Sequence, residues 1–148
     1  MKSILSVAAL FGLFAAVAVA DSAPKLEGIK CVVSGQPASA EHSAKHLEGK
    51  VFFCCPNCPK GFAANPEKFT EKANQQLVLT QQYTAKACPL SGRPIAEKAG
   101  AKDEIGFCCK NCLGKYNAAS DEDKLKMVYG KAAFEKGFEK KAEKAPAK

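Results

Sequence analysis

Phe53-Cys54-Cys55-Pro56-Asn57-Cys58 returns later in the chain as Phe107-Cys108-Cys109-Lys110-Asn111-Cys112. Ahead of each copy stands another matched stretch, Cys31-Val32-Val33-Ser34-Gly35-Gln36-Pro37 and then Cys88-Pro89-Leu90-Ser91-Gly92-Arg93-Pro94. The eight cysteines of the chain all fall in these cassettes, four to each copy. The first stretch recurs 57 residues on, from 31 to 88, and the second 54 residues on, from 54 to 108. A three-residue deletion between the stretches accounts for the difference. Two separate segments matching at nearly one offset mark a tandem repeat of one small cysteine-dependent module.

Little else in the chain would hold such a module together. Tryptophan is absent and aromatics make up 8% of the residues. Modules of about 50 residues seldom fold on burial alone and lean on disulfides or a metal ion. The cysteines therefore supply stability, whatever else they do.

The start of the chain bears on what cysteines can do. Lys2 precedes an uncharged apolar run from Ile4 to Ala20, closing on Ala18-Val19-Ala20 before Asp21. That order is the pattern of a cleaved signal peptide, placed at residues 1–20, and it predicts a secreted or periplasmic protein. A retained anchor competes, since the run is just long enough to span a tilted path, but Gly12 and the many alanines make it a weak one. After cleavage no second apolar segment remains to enter a membrane. Of the formal charge of +7, a net +3 sits in the last residues, Lys131 to Lys148. Glutamates are interspersed there and no aromatic ladder accompanies the lysines. The Lys-rich tail, 130–148, accordingly reads as solvated and partly disordered, and not as a nucleic-acid surface.

Repeat one spans about 28–72 and repeat two about 85–129, joined by a glutamine-rich connector at 73–84. In that connector Leu77-Val78-Leu79 fits either a helix end or a short strand. Ser-Gly-x-Pro after the first cysteine of each copy is turn chemistry, with glycine allowing positive φ. Val51 to Cys55 and Ile105 to Cys109 read as strands, and Gly49-Lys50 suits a hairpin turn ahead of the first. Helices follow Cys58 and Cys112, carrying Phe62 and Tyr116. Further helices start at Asn65-Pro66-Glu67 and at Ser120-Asp121-Glu122-Asp123, each a capping residue ahead of acids, with Phe69 and Leu125 as their buried residues. The fold class is α+β: two small modules, each a β-hairpin followed by short helices.

Alternation along the strand separates the cysteines. Val51, Phe53 and Cys55 share one face, as do Ile105, Phe107 and Cys109, and this apolar face reads as core. Cys54 and Cys108 point the other way. A helical turn from Cys54 brings Cys58 to the same side.

Cys31, Cys54 and Cys58, with 22 and then three residues between them, have the spacing of a TRASH-type motif, and Cys88, Cys108 and Cys112 repeat it with 19 and three. Gly49-Lys50-Val51-Phe52-Phe53-Cys54, Cys58, Phe62 and Asn65-Pro66-Glu67-Lys68-Phe69 together resemble a YHS domain. The resemblance implies a small zinc-ribbon- or treble-clef-like module holding a heavy-metal ion by cysteine thiolates. The ligand trios it implies are Cys31, Cys54, Cys58 and Cys88, Cys108, Cys112. Ser34 and Ser91 stand where many YHS domains carry their first cysteine. Cys55 and Cys109 supply either a fourth thiolate or a redox partner.

Soft thiolate donors select Zn²⁺ or Cu(I) over Mg²⁺ or Ca²⁺. His42 and His46 have no counterpart in repeat two, so a site common to both copies needs neither, and both read as solvated surface residues. The competing reading is a secreted interaction protein stapled by disulfides such as Cys31–Cys58 or Cys31–Cys54. No phosphate loop or nucleotide fingerprint is present, and no Cys-His pair recurs in both copies. The expectation is therefore a non-enzymatic, exported metal-binding protein for buffering, delivery or sensing, with no protein partner specified.

Overall fold

The structure is a computed structural model that describes residues 25–100 and 104–142. The expected signal peptide lies outside the described residues. Among those described, no helix is long and apolar enough to cross a membrane.

Each copy begins with a tight knuckle. In the first, the Cys31 N–H donates to the Gln36 carbonyl at 2.7 Å and the Gly35 N–H to the Cys31 carbonyl at 2.9 Å. In the second, Cys88 donates to Arg93 at 2.9 Å and Gly92 to Cys88 at 2.7 Å. Gly35 and Gly92 sit at φ 76° and 73°, so both knuckles need the left-handed conformation that glycine adopts without strain.

An antiparallel hairpin follows. Strand β1, Ser39–His46, pairs with β2, Gly49–Phe53, so that His46 faces Gly49 and the turn is Leu47-Glu48. This corrects the placement of the turn at Gly49-Lys50. Leu47 takes the positive φ instead, at 52°. Gly49 is required for another reason: a Cβ there would lie 2.7 Å from Leu77 Cδ2 and 2.8 Å from Gln82 Oε1.

Helix α1, Asn57–Ala64, then buries Cys58 and Phe62. The Asn65-Pro66 start gives a 3-10 turn, Pro66–Phe69, before α2, Thr70–Leu79. Asn65 makes no capping hydrogen bond, and Phe69 is only partly buried.

Repeat two shortens this plan. Strand β4, Glu97–Ala99, pairs with β5, Ile105–Phe107, in place of the longer first hairpin. Helix α3, Lys110–Ala118, and helix α4, Asp121–Tyr129, complete it. Ser120 caps α4 by accepting from the Asp123 N–H at 3.2 Å, as its position ahead of three acids predicts. Leu125 is partly buried, whereas Val128 and Tyr129 are the buried residues of that helix.

The stretch between the cassettes is interior. Ala73, Asn74, Gln76, Leu77 and Val78 are all buried on α2, which packs against α4 of the other copy. Its polar side chains carry bonds a strand would otherwise make. Gln76 accepts from the Phe52 N–H at 2.6 Å and donates to the Phe52 and Lys30 carbonyls at 3.0 and 2.9 Å. Gln82 takes the Lys50 N–H and carbonyl, both at 2.7 Å. The two amides thus close the outer edge of β2 at alternate residues, where an unpaired edge would otherwise be left. Asn74 links the copies, donating to the Tyr129 carbonyl at 2.8 Å.

The Lys-rich segment is likewise not all solvated tail. Helix α5, Lys131–Gly137, and strand β6, Phe138–Lys140, are ordered parts of the fold. Strand β6 pairs with β3, Tyr83–Ala85. Phe134 and Phe138 are buried, stacked at 5.1 Å, because two aromatic rings outweigh the lysines beside them. Residues 143–148 lie outside the described residues.

The architecture is α+β, with small antiparallel strand pairs and five α-helices among the described residues. Val51, Phe53 and Leu77 from the first half and Ile105, Phe107, Val128 and Phe138 from the second belong to one buried cluster. The modules therefore share a core, which relieves each of the need to build its own.

Candidate metal centre

Three elements bring the sulfurs together. The knuckle holds Cys31 and Cys88, both buried, at the edge of the core. The end of each inner strand delivers Cys54 and Cys108, which are half-buried. The start of the following helix presents Cys58 and Cys112.

Cys31, Cys54 and Cys58 form one triad whose sulfurs all lie within 4.8 Å of each other, and Cys88, Cys108 and Cys112 form the other. Both expected trios are therefore assembled, from residues more than twenty positions apart in the first copy. The Cys54–Cys58 and Cys108–Cys112 sulfurs are each separated by 3.7 Å. Zinc at about 2.3 Å from each sulfur in tetrahedral geometry implies sulfurs about 3.8 Å apart. The donor set and its spacing fit a soft cation. All eight cysteines are free thiols.

Neither Cys55 nor Cys109 is a buried core residue, which corrects their assignment by strand alternation, although Cys55 packs against the core from its edge. Both are half-buried and neither belongs to a triad. The alternation argument fails because the strands end at Phe53 and Phe107, so the period of two no longer applies two residues later, at Cys55 and Cys109. Cys55 lies 3.4 Å from the Cys58 sulfur, and Cys109 lies 3.6 Å from that of Cys108. Nor is His46 a solvated residue. Its Nε2 pairs with Asn74 Oδ1 at 2.9 Å and its ring meets Phe62 edge-on at 5.6 Å, so it serves the core. Neither histidine joins a triad.

Ser34 and Ser91, which are turn residues in the sequence pattern, also belong to the sites. Ser34 Oγ lies 3.1 Å from the Cys54 sulfur, and Ser91 Oγ lies 3.2 Å from that of Cys108. The same serines help to lower the Cys31 and Cys88 thiols. Each hydroxyl therefore contacts the strand-end sulfur of its triad. The signal was available: serine occupies the same place in both copies, one residue before the turn glycine.

The ionisation pattern within a triad is uneven. Burial opposes ionisation of Cys31, but bonds from Ser34, Cys54 and Val33 outweigh it and hold the thiol at about 6. Cys88 is lowered in the same way, burial being overcome by Ser91 and by backbone bonds. Ser91 is the chief cause that lowers Cys108. Cys58 and Cys112 are pushed up to about 12, first by burial and then by their bonds to neighbouring cysteines. Three thiolates this close repel, so the last resists losing its proton until a cation shares the site.

The copies differ in one charge. Arg93 sits beside Cys108, whose thiolate raises the guanidinium above its ordinary range. The same place in the first knuckle is Gln36.

No protein-family model, curated protein or solved structure matches this chain.

Proposed function

We propose that this chain is an exported soft-metal-binding protein whose two modules, similar to YHS and TRASH domains, each hold one Zn²⁺ or Cu(I). The observation that carries the reading is the convergence of three sulfurs within 4.8 Å in both copies, by the same elements. Cys31 and Cys88 anchor the site from the knuckle, while Cys54 with Cys58, and Cys108 with Cys112, close it from strand end and helix start. The serine hydroxyls orient the sulfurs, a role whose loss costs metal sites about 10–100-fold in affinity. Half-buried Cys54 and Cys108 leave one side of each triad open to solvent, which suits uptake and release better than a closed structural site. Buffering, delivery or sensing of the ion outside the cytoplasm is the role that follows, without catalysis.

Metal analysis of protein purified from its native compartment, with a free-thiol count, tests the proposal. About two equivalents of zinc or copper, with all thiols reactive after chelation, is the expected result. Protein free of metal and of reactive thiols would overturn it, leaving the disulfide-stapled interaction protein as the reading.

A further inference from the structure

Resting on the metal-binding reading, the geometry points to a second chemistry in the first copy: Cys55 and Cys58 form a thiol–disulfide exchange site that couples oxidation to loss of the bound ion. Cys55 lies outside the triad, so its thiol is not consumed when the other three bind. Its sulfur is nonetheless nearer to Cys58 than that of Cys54, at 3.4 Å against 3.7 Å. The chain between them is already turned back, the Cys58 N–H donating to the Cys55 carbonyl at 3.3 Å. Cys55 is half-exposed, whereas Cys58 is buried, so an incoming reagent meets Cys55 first. A bridge between Cys54 and Cys55, by contrast, would close a strained ring between neighbours.

The co-reactant is a small-molecule or protein disulfide. The Cys55 sulfur, losing its proton to solvent, attacks one sulfur of that disulfide, forming a mixed disulfide and expelling one thiolate. The Cys58 thiolate then attacks the Cys55 sulfur and expels the second thiolate. The external disulfide is reduced to two thiols, and Cys55 and Cys58 are oxidised to one disulfide. With its Cys58 sulfur committed to that bond, the triad keeps only Cys31 and Cys54 as donors.

The test uses the full chain carrying Cys88→Ser, which leaves the first site as the one being read. The zinc-loaded protein is exposed to oxidised glutathione, with release followed by a coloured chelator and bridges mapped by mass spectrometry of peptides. Expected is a Cys55–Cys58 bridge formed in step with zinc release, and release at least tenfold slower once Cys55→Ser is added. Cys55→Ala must reproduce that slowing, with circular dichroism confirming that each variant is folded. Release at an unchanged rate in folded variants, or a bridge mapped to Cys54–Cys58 or Cys31–Cys54, would overturn the inference. A Cys88→Ser protein that takes up no zinc would count against the metal-binding reading instead. The bridge map then decides the exchange site alone, Cys55–Cys58 supporting it and any other pairing refuting it.

Discussion

The two copies agree where the sulfurs are and differ almost everywhere else. Both knuckles make the same pair of backbone hydrogen bonds, place glycine at the same φ, and set a serine hydroxyl against the strand-end cysteine. The hairpins, by contrast, differ in length, eight and five residues in the first and three and three in the second. Buried Phe52 in copy one is matched by Gly106 in copy two, where Ile95 fills the space and a Cβ on Gly106 would lie 2.2 Å from Ile95 Cδ1. Packing can reach the same density by several routes, whereas three sulfurs around one ion admit few. What the copies share is therefore a geometric demand, and what they do not share is filling.

The sharpest break of that comparison removes the shared part. Cys31→Ser should abolish one equivalent of metal and leave the other, and Cys88→Ser should do the reverse. Titration with a competing chelator reads both. Loss of both equivalents from either variant would show that the sites are not independent.

Removing the unshared part should instead cost stability. Phe52→Ala, which removes a buried ring, should destabilise by about 3 kcal/mol, the lower end for a buried phenylalanine. Gly106→Ala, which forces Ile95 aside, should cost about 1–3 kcal/mol. Chemical denaturation of the metal-free protein measures both. A loss under about 0.5 kcal/mol for Gly106→Ala, the range of an ordinary surface change, would mean that Ile95 yields freely and that the second hairpin is loosely packed.

The same contrast explains how far the chain could be read in advance. The triads were legible because cysteine spacing survives any change of filling, and so were α1, α3 and the Ser120 cap, whose signals are local. The Leu47-Glu48 turn was not, because Leu47 adopts a backbone conformation usually left to glycine or asparagine. Gly49 looked like turn chemistry but answers to Leu77 and Gln82 from a distant helix. The connector looked polar, yet its glutamines spend their amides on the edge of β2. Phe134 and Phe138 sat among lysines, and Tyr83 of β3 and Tyr129 of α4 help to make them core. The turn aside, each miss is a residue whose role is set by something far away in sequence.

The serines test whether the shared geometry extends beyond the sulfurs. Ser34→Ala and Ser91→Ala should each weaken metal binding at their own site by about tenfold, the lower end of what outer-shell partners contribute. Equal affinity in the variants would reduce the hydroxyls to turn formers.

Smallest, and most telling about divergence, is the charge beside the second site. Three thiolates with Zn²⁺ carry a net single negative charge, and with Cu(I) a double one. Arg93 offsets part of it and Gln36 offsets none. Arg93 is exposed, so its contribution resembles that of a solvent-screened surface ion pair and is small, on the order of a few-fold in affinity. Arg93→Gln should therefore weaken site two a few-fold, and Gln36→Arg should strengthen site one by a similar factor. The difference should shrink as salt rises, because exposed charges are screened within about 8–10 Å at physiological ionic strength. The effect should also be larger for Cu(I) than for Zn²⁺, since the more anionic complex gains more from a neighbouring cation. Affinities that ignore salt and respond alike to both metals would place the guanidinium too far into solvent to distinguish the copies.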